Sequence, residues 1–415
     1  MKLDHLNLDV KINPEDSSIT SIALINLSKI ESKLSGILLN PDLLWEKVVA
    51  IHGNQEFQLE PVEIDVSENI LYNVAKSWEF ELPSELKNLD SLTVSFTYSG
   101  KIVDTTWNLN RITSTEVELA DYALWYPYIN QASFSFNLTL HAPEDWVWIS
   151  NAYSKPCKQC FKWRNPNPQI GIVLVGYPEN QAIQEKKRSI LQGSNKNYNK
   201  FRSLEIEFNK IIQKQIDWLG SPLQENFSIV LVHREKGGSY VRGNLMIYPE
   251  VLPEEYFTKF SKNVITSWIH EYSHLWFNKS PTDNWHNWID ESLAEYSAYL
   301  MAKDHFGEEF FETIIKRRKE IVEEAGELPP INSINRSHEK SYILFYHWGA
   351  LIHESIREKI GDKLMKQIIR DFAQKSLEKE QVETKDYVES VNLITKEDWE
   401  DFIYKKIFSP PEFKN

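Results

Sequence analysis

The segment His270-Glu271-Tyr272-Ser273-His274 decides how the chain is interpreted, because it places two imidazoles and a carboxylate within five residues. Apolar residues recur around it at helical spacing, which predicts a helix from about Ser261 to Asn278 with one buried stripe. Residues four apart lie one helical turn apart, so His270 and His274 share a face. This arrangement is typical of a hydrolytic zinc site in which the glutamate beside the first histidine is the general base.

A catalytic zinc needs a third protein ligand from a neighbouring element. Downstream, the stretch from Asn287 to Tyr296 predicts a second amphipathic helix that opens with acidic residues. Glu291 is the candidate third ligand. Glu295 follows it by four residues on the same face, where it could accept a hydrogen bond from a zinc-binding imidazole. The alternative for Glu295 is an ordinary surface carboxylate.

In these residues the chain resembles the gluzincin metallopeptidases of the aminopeptidase N and leukotriene hydrolase family, whose H-E-x-x-H precedes a helix carrying W-L-N-E-G-x-A. The matching segment here is W-I-D-E-S-L-A at Trp288 to Ala294. Sixteen residues (275 to 290) separate the second histidine from the glutamate, where the family usually has eighteen, and we interpret this as a shorter loop around Lys279 to Asn284. The segment Y-H-W-G-A at Tyr346 to Ala350 resembles the family's Y-E-K-G-A, whose tyrosine stabilises the transition state.

The resemblance implies one zinc ion per chain and a defined set of site residues. These are the zinc ligands His270, His274 and Glu291, the general base Glu271, and Tyr346 as hydrogen-bond donor to the oxyanion of the tetrahedral intermediate. Tyr342, one turn before Tyr346, is the alternative donor.

One motif of the family is missing. Its exopeptidases carry G-x-M-E-N on a loop before an edge strand, and the glutamate binds the free amino terminus of the substrate. Gly237 to Val241, G-G-S-Y-V, stands at that place, and Glu235 replaces the glutamate only if the loop register shifts. Glycines still let a peptide backbone approach, and the strand Asn244 to Tyr248 can pair with an extended substrate. The expected substrate-binding residues are Gly237, Gly238, Tyr240 and Asn244.

The chain is predicted to be an α+β multidomain protein. Residues 1 to 190 contain short runs that alternate apolar and polar residues between Pro, Asn, Asp and Gly, which predicts an N-terminal β-sandwich or saddle-like domain. The runs include Leu6–Val10, Leu92–Phe96, Phe134–Leu138 and Ile170–Leu174. After a polar boundary at Gln192 to Asn197, residues 191 to 415 predict a helix at 198–219, strands at 227–232 and 243–248, and then mainly helices. This is the order of a thermolysin-like catalytic domain.

Composition narrows the classes of partner. The 415 residues carry a net charge of -14, which argues against nucleic acid or an anionic membrane as the main partner. No apolar run is long enough to span a bilayer and Met1 to His5 begins no signal peptide, so we expect a cytoplasmic protein. The chain ends near Phe413, so we also expect the large helical C-terminal domain of long family members to be absent.

The two cysteines, Cys157 and Cys160, form a C-x-x-C. Such a pair can be half of a zinc knuckle or a redox pair, but no second pair exists and the surroundings predict a turn between strands. Two free thiols at a hairpin are therefore the favoured interpretation.

Together, these features predict a zinc metallopeptidase that is not a strict aminopeptidase and acts on a peptide or a small amide. One alternative is a zinc hydrolase of a non-peptide amide or an epoxide. The other is a non-catalytic binding protein with the same fold, which we would expect to have lost a ligand or the general base. The sequence retains all of them.

Overall fold

The computed structural model of the protein describes residues 1–65, 76–103, 110–129, 133–183, 190–223, 227–234 and 238–412. The chain divides into two compact units. Met1–Tyr198 and Asn226–Leu252 form a sheet-rich unit, and Asn199–Glu225 and Pro253–Asn415 form a helical unit. The predicted mixture of an N-terminal β region and a mainly helical C-terminal region is therefore confirmed.

The strands all belong to the sheet-rich unit. In chain order they are β1 (Lys2–Asn13), β2 (Ser18–Ser28), β3 (Lys33–Leu39), β4 (Leu43–His52), β5 (Gln55–Gln58), β6 (Val62–Ile64), β7 (Lys76–Glu81), β8 (Ser91–Lys101), β9 (Arg111–Ile112), β10 (Val117–Leu119), β11 (Tyr128–Ile129), β12 (Ser133–His141), β13 (Trp146–Ser150), β14 (Tyr153–Lys155), β15 (Phe161–Ile170), β16 (Leu174–Pro178), β17 (Leu191–Gly193), β18 (Ser228–Val232), β19 (Tyr240–Arg242) and β20 (Leu245–Pro249).

An eight-stranded sheet with the order β14-β15-β12-β1-β2-β8-β4-β5 dominates this unit. Its strands are antiparallel except for β1 and β12, which run parallel with Leu6 opposite Phe136. Along β1, Leu6, Leu8 and Val10 are buried while the intervening side chains are more exposed. This alternation with a period of two buries one face of the sheet, as the sequence predicted.

Three four-stranded sheets complete the unit. Their orders are β13-β16-β10-β9, β11-β3-β7-β6 and β17-β18-β20-β19. In the last of these, β17, β18 and β20 run parallel and β19 is antiparallel to β20. The predicted strands near 227–232 and 243–248 are thus confirmed as β18 and β20. The contacts group the strands β18 to β20 with the N-terminal unit. The domain boundary that we predicted between residues 190 and 191 stays a prediction.

The prediction of a strand at Ile170–Leu174 is wrong, because this run connects the end of β15 to the start of β16. Gly171 has a φ of +73°, and a side chain there would start 2.8 Å from Cγ of Asp121. The backbone N–H of Val173 donates to Oδ1 of Asn151 and not to a neighbouring strand. A left-handed glycine and a side-chain acceptor end the ladder here, although the run alternates like a strand.

The prediction of two free thiols is also wrong. Cys157 and Cys160 are joined in a disulfide between β14 and β15. Their Cα atoms lie 5.4 Å apart, within the range that a disulfide requires. The turn brings the two sulfurs together, which the spacing of the residues alone did not establish.

The helical unit contains α1 (Tyr198–Leu219), α2 (Ser261–Ser273), α3 (Trp288–Phe306), α4 (Glu308–Glu324), α5 (Gly349–Ile360), α6 (Asp362–Glu378), α7 (Thr384–Thr395) and α8 (Glu400–Phe408). A π-helix at Tyr342–Trp348 runs directly into α5. No helix in the described ranges has both the length and the apolar composition needed to cross a bilayer.

Helix α3 is the centre of this unit. It packs against α2, α4, α5 and the π-helix, and its residues are almost continuously buried from Trp288 to Ala302. The sequence predicted an amphipathic helix here, which is wrong because neighbours cover α3 on all sides. Polar groups on α3 are therefore buried and must be paired or serve a chemical purpose.

Candidate metal centre

Helix α2 positions the two histidines of the H-E-x-x-H segment. The helix ends at Ser273, earlier than predicted, but His274 keeps right-handed helical backbone angles of φ −65° and ψ −9°. Its side chain therefore still lies one turn beyond His270. The two Nε2 atoms are 3.3 Å apart, and the ring planes are nearly perpendicular.

Helix α3 adds the third group. Oε2 of Glu291 lies 3.7 Å from Nε2 of His270 and 3.5 Å from Nε2 of His274. These are the separations that a tetrahedral ion produces, because zinc–ligand bonds of about 2.0–2.1 Å place the ligand atoms roughly 3.3 Å apart. In the described part of the chain, these three residues are the one group of histidine, cysteine and acidic side chains close enough to hold a metal ion.

The burial of Glu291 supports a cation at this place. Its side chain is only 4% exposed, and Oε2 accepts no hydrogen bond from the described residues. A buried carboxylate oxygen without a donor is costly, and the guanidinium of Arg336 forms its ion pair with the other oxygen, Oε1. Two imidazole nitrogens and one orphaned carboxylate oxygen are suited to zinc in both number and chemistry.

Contacts on the far side of each imidazole indicate which nitrogen faces the centre. Nδ1 of His270 lies 3.3 Å from Oε2 of Glu295, and Nδ1 of His274 lies 2.8 Å from the carbonyl oxygen of Phe277. The carbonyl oxygen of Phe277 can only accept, so Nδ1 of His274 carries the hydrogen and its Nε2 keeps the lone pair. The carboxylate beside Nδ1 of His270 favours the same tautomer in that ring. Such outer partners orient metal-binding imidazoles.

Glu295 is buried and held in its charged form. Burial alone would raise its pKa, but the close contact with His270 and the charge of Arg318 lower the pKa to about 2. Its other oxygen accepts a hydrogen bond of 3.0 Å from the hydroxyl of Tyr299 and lies 3.6 Å from Arg318. The interpretation of Glu295 as a surface carboxylate does not fit this burial.

Glu271 and Tyr346 lie in the same unit as the three candidate ligands. Glu271 is buried, and it follows His270 by one position on α2. The ring of Tyr346 stacks on that of His270 with the centroids 5.6 Å apart and the planes 21° from parallel. The structure thus places the ring of Tyr346 beside His270, and its role as oxyanion donor stays a prediction. Tyr342 is more exposed, and its ring lies 4.8 Å from that of Tyr346.

Gly349 explains how the tyrosine-bearing segment approaches α3. A Cβ at this position would lie 2.6 Å from Cβ of Ser292 and 3.2 Å from the ring of Trp288. No side chain fits there without displacing α3 or the start of α5. The preceding π-helix contains Tyr346, and single wide turns of this kind often mark functional sites.

Arg336 contacts this centre and was not found from the sequence. It forms an ion pair with Oε1 of Glu291 and donates a hydrogen bond of 3.0 Å to the hydroxyl oxygen of Tyr346. It also donates to Oδ1 of Asn287 over 3.0 Å. Arg336 lies in a polar stretch between helices, N-R-S-H-E-K, where no motif or periodicity distinguishes it.

The predicted substrate-binding residues belong to the sheet-rich unit, and that role stays a prediction. Gly237 and Glu235 lie outside the described residues. The carbonyl of Gly238 accepts a hydrogen bond from Arg234. The hydroxyl of Tyr240 donates to the buried Glu118 over 3.1 Å, and the carbonyl of Asn244 accepts from the start of β18.

Comparison with solved structures identifies the fold. The M1 zinc metallopeptidase from Deinococcus radiodurans matches with a TM-score of 0.76 at 13% identity, over 100% of this chain and 94% of that one. A mutant of that protein bound to a Tyr-Ser-Ala substrate matches with a TM-score of 0.71 at 13% identity, over 100% and 95%. Native yeast LTA4 hydrolase matches with a TM-score of 0.74 at 14% identity, over 100% of this chain and 69% of that one.

The chain therefore has the fold of the M1 zinc metallopeptidases. No protein-family model and no curated protein sequence matches it. At this level of identity the similarity concerns the fold, so the chemistry has to be argued from the site itself.

Proposed function

We propose that the chain is a zinc-dependent hydrolase that cleaves peptide bonds. The observation that carries this proposal is the orphaned Oε2 of Glu291, which lies within 3.7 Å of the lone-pair nitrogens of His270 and His274. These three residues would hold one zinc ion per chain. When bound, zinc supplies Lewis acidity, which polarises the scissile carbonyl and makes water a stronger acid.

Glu271 is the proposed general base. One position along a helix is a rotation of about 100°, so Glu271 stands beside the face that carries the two histidines. Its carboxylate would accept the proton of the attacking water and later deliver it to the leaving amine. Because Glu271 is not one of the three ligands, its replacement should separate metal binding from turnover.

Tyr346 is the proposed donor to the oxyanion. Its ring is held against His270 by the stacking contact and by the close approach of Gly349 to α3. A phenol held in this way can donate to the oxygen that becomes negative in the tetrahedral intermediate. A donor already aimed at the oxyanion is worth about 10²- to 10³-fold in kcat.

The proposed substrate is a peptide, and strict aminopeptidase specificity is not expected. The fold supports a peptide because a structural neighbour is described as bound to a Tyr-Ser-Ala substrate. The missing G-x-M-E-N glutamate, at the segment Gly237 to Val241, favours endopeptidase or amino-block-tolerant cleavage. For the same reason, hydrolysis of a non-peptide amide or an epoxide at this centre is the second candidate.

A screen of the purified protein, with and without chelator, distinguishes these functions. It should include peptides with free and blocked amino termini, non-peptide amides and epoxides. Chelator-sensitive cleavage of peptides supports the proposal, and chelator-sensitive cleavage of only the other substrates supports the second candidate. Zinc binding without any hydrolysis would support a non-catalytic binding protein.

A further inference from the structure

Arg336 connects the candidate metal ligand Glu291 with the proposed oxyanion donor Tyr346. Its guanidinium forms an ion pair with Oε1 of Glu291, and Nη2 donates to the phenol oxygen of Tyr346 over 3.0 Å. Nη1 also donates to Asn287, immediately before α3. The backbone of Arg336 is itself fixed, because Ser341 Oγ donates to its carbonyl oxygen over 2.9 Å. One planar group therefore bridges α3 and the π-helix.

The contact with Glu291 determines which carboxylate oxygen faces the histidines. Oε1 is engaged by Arg336, whereas Oε2 is buried, has no hydrogen-bond donor among the described residues and lies 3.5 Å from Nε2 of His274. A carboxylate anchored through one oxygen offers a metal only the other. Binding through a single oxygen keeps the ligand number low, which leaves a position open for water or substrate.

The contact with Tyr346 determines the direction of the phenol hydrogen. A guanidinium has donors but no acceptor, so the phenol oxygen must accept the hydrogen bond from Arg336. The hydrogen of the phenol is then directed at a different acceptor. A cationic donor on the phenol oxygen also strengthens the hydrogen bond that the phenol itself donates, because linked hydrogen bonds polarise one another.

We propose that Arg336 is a positioning residue that fixes Glu291 as a one-oxygen metal ligand and directs the hydroxyl of Tyr346 toward the substrate. The part concerning Tyr346 rests on the proposed function. The part concerning Glu291 is independent of any substrate, because it is measured as metal affinity.

The geometry requires an arginine and not merely a positive charge. A lysine ammonium is a point charge that can pair with Glu291 or with Tyr346 but cannot span both as a planar fork does. Arg336→Lys should therefore separate the two contacts, and Arg336→Met should remove both. Arg317→Met is the matched control, because Arg317 is an exposed residue of α4 that pairs with Glu320 and Glu324 of the same helix.

Zinc affinity, measured by competition with a chromophoric chelator, tests the contact with Glu291. We expect Arg336→Met to weaken zinc binding by about 10- to 100-fold, the usual effect of losing a partner of a metal ligand. Arg336→Lys and Arg317→Met should remain within about threefold of the parent protein. Parental zinc affinity in Arg336→Met would overturn this part of the proposal, whether or not the protein hydrolyses peptides.

A double-mutant cycle tests the contact with Tyr346. Arg336→Lys should lower kcat about 10- to 100-fold with little change in KM, since a misdirected donor affects the transition state more than binding. In a Tyr346→Phe background, the same replacement should change kcat by less than about threefold. Equal losses in both backgrounds would overturn the positioning role. If the parent protein cleaves no peptide at all, the proposed function fails, and the zinc measurements still decide the role of Arg336 at Glu291.

Discussion

Oε2 of Glu295 lies 3.3 Å from Nδ1 of His270, while Nε2 of the same ring faces Glu291. The imidazole is therefore held between two carboxylates, one of which also contacts Arg318 and the other Arg336. A buried carboxylate behind a metal-binding histidine fixes its tautomer and raises its basicity. The outer contacts of the centre thus decide how well it would bind a metal.

Replacing Glu295 by glutamine should weaken zinc binding. The amide keeps the size and shape of the side chain, but the negative charge that supports the imidazole is lost. We expect the zinc affinity to fall about tenfold or more, measured by competition with a chelator. Glu320→Gln, on the exposed surface of α4, is the control and should leave the affinity unchanged. Equal affinities in the two variants would show that Glu295 does not tune the centre.

Replacing Glu271 by glutamine should keep the zinc but lower turnover. The ligand set stays intact, whereas no group remains to accept the proton of the attacking water. We expect kcat to fall by about 10² to 10⁴, measured on the best peptide of the screen. The zinc content should remain that of the parent protein. Near-parental turnover would contradict the assignment of Glu271 as the base.

Acetylation of the substrate's amino terminus should have only a small effect. An exopeptidase gains selectivity from a buried carboxylate that meets the substrate ammonium, worth roughly 10² to 10³ in rate. We predict from the sequence that the motif that carries this carboxylate is missing, so kcat/KM should differ by less than about a hundredfold between a good peptide and its acetylated form. A larger drop would refute this expectation and indicate a replacement anchor such as Glu235.

Adding a methyl group at Gly349 should destabilise the helical unit. The new Cβ of Gly349→Ala would lie 2.6 Å from Cβ of Ser292, so α3 and α5 must separate. We expect a loss of about 1–3 kcal/mol in the free energy of unfolding, measured with urea, together with a loss of activity. Gly238→Ala, where nothing lies within 4 Å of the new Cβ, is the control for the stability measurement. Parental stability in Gly349→Ala would contradict the packing described here.

The sequence predicted the parts of the fold and site that depend on local pattern. The alternation along β1 and the helical spacing around His270 report directly which face is buried, and these elements were confirmed. The prediction of a strand at Ile170–Leu174 failed because the left-handed Gly171 ends the hydrogen-bond ladder there. The amphipathic pattern expected for α3 failed because burial of a central helix is decided by its neighbours and not by its own sequence.

The contacts between residues of the site were harder to predict from the sequence. His270 and His274 follow a known spacing, and Glu291 lies in a segment that resembles a known motif, so their proximity could be anticipated. Arg336 reaches Glu291 from a loop that follows α4, and a long-range contact of this kind has no periodic signal. The disulfide between Cys157 and Cys160 likewise depends on the geometry of a turn that spacing does not reveal.

The zinc content of the chain is the most direct test of the central claim. Protein prepared without chelator and analysed by elemental mass spectrometry should contain about one zinc per chain, and His274→Ala prepared in parallel should contain almost none. The same one-to-one content in His274→Ala, or no metal in the parent protein even after incubation with zinc, would contradict the assignment of His270, His274 and Glu291 as the metal centre.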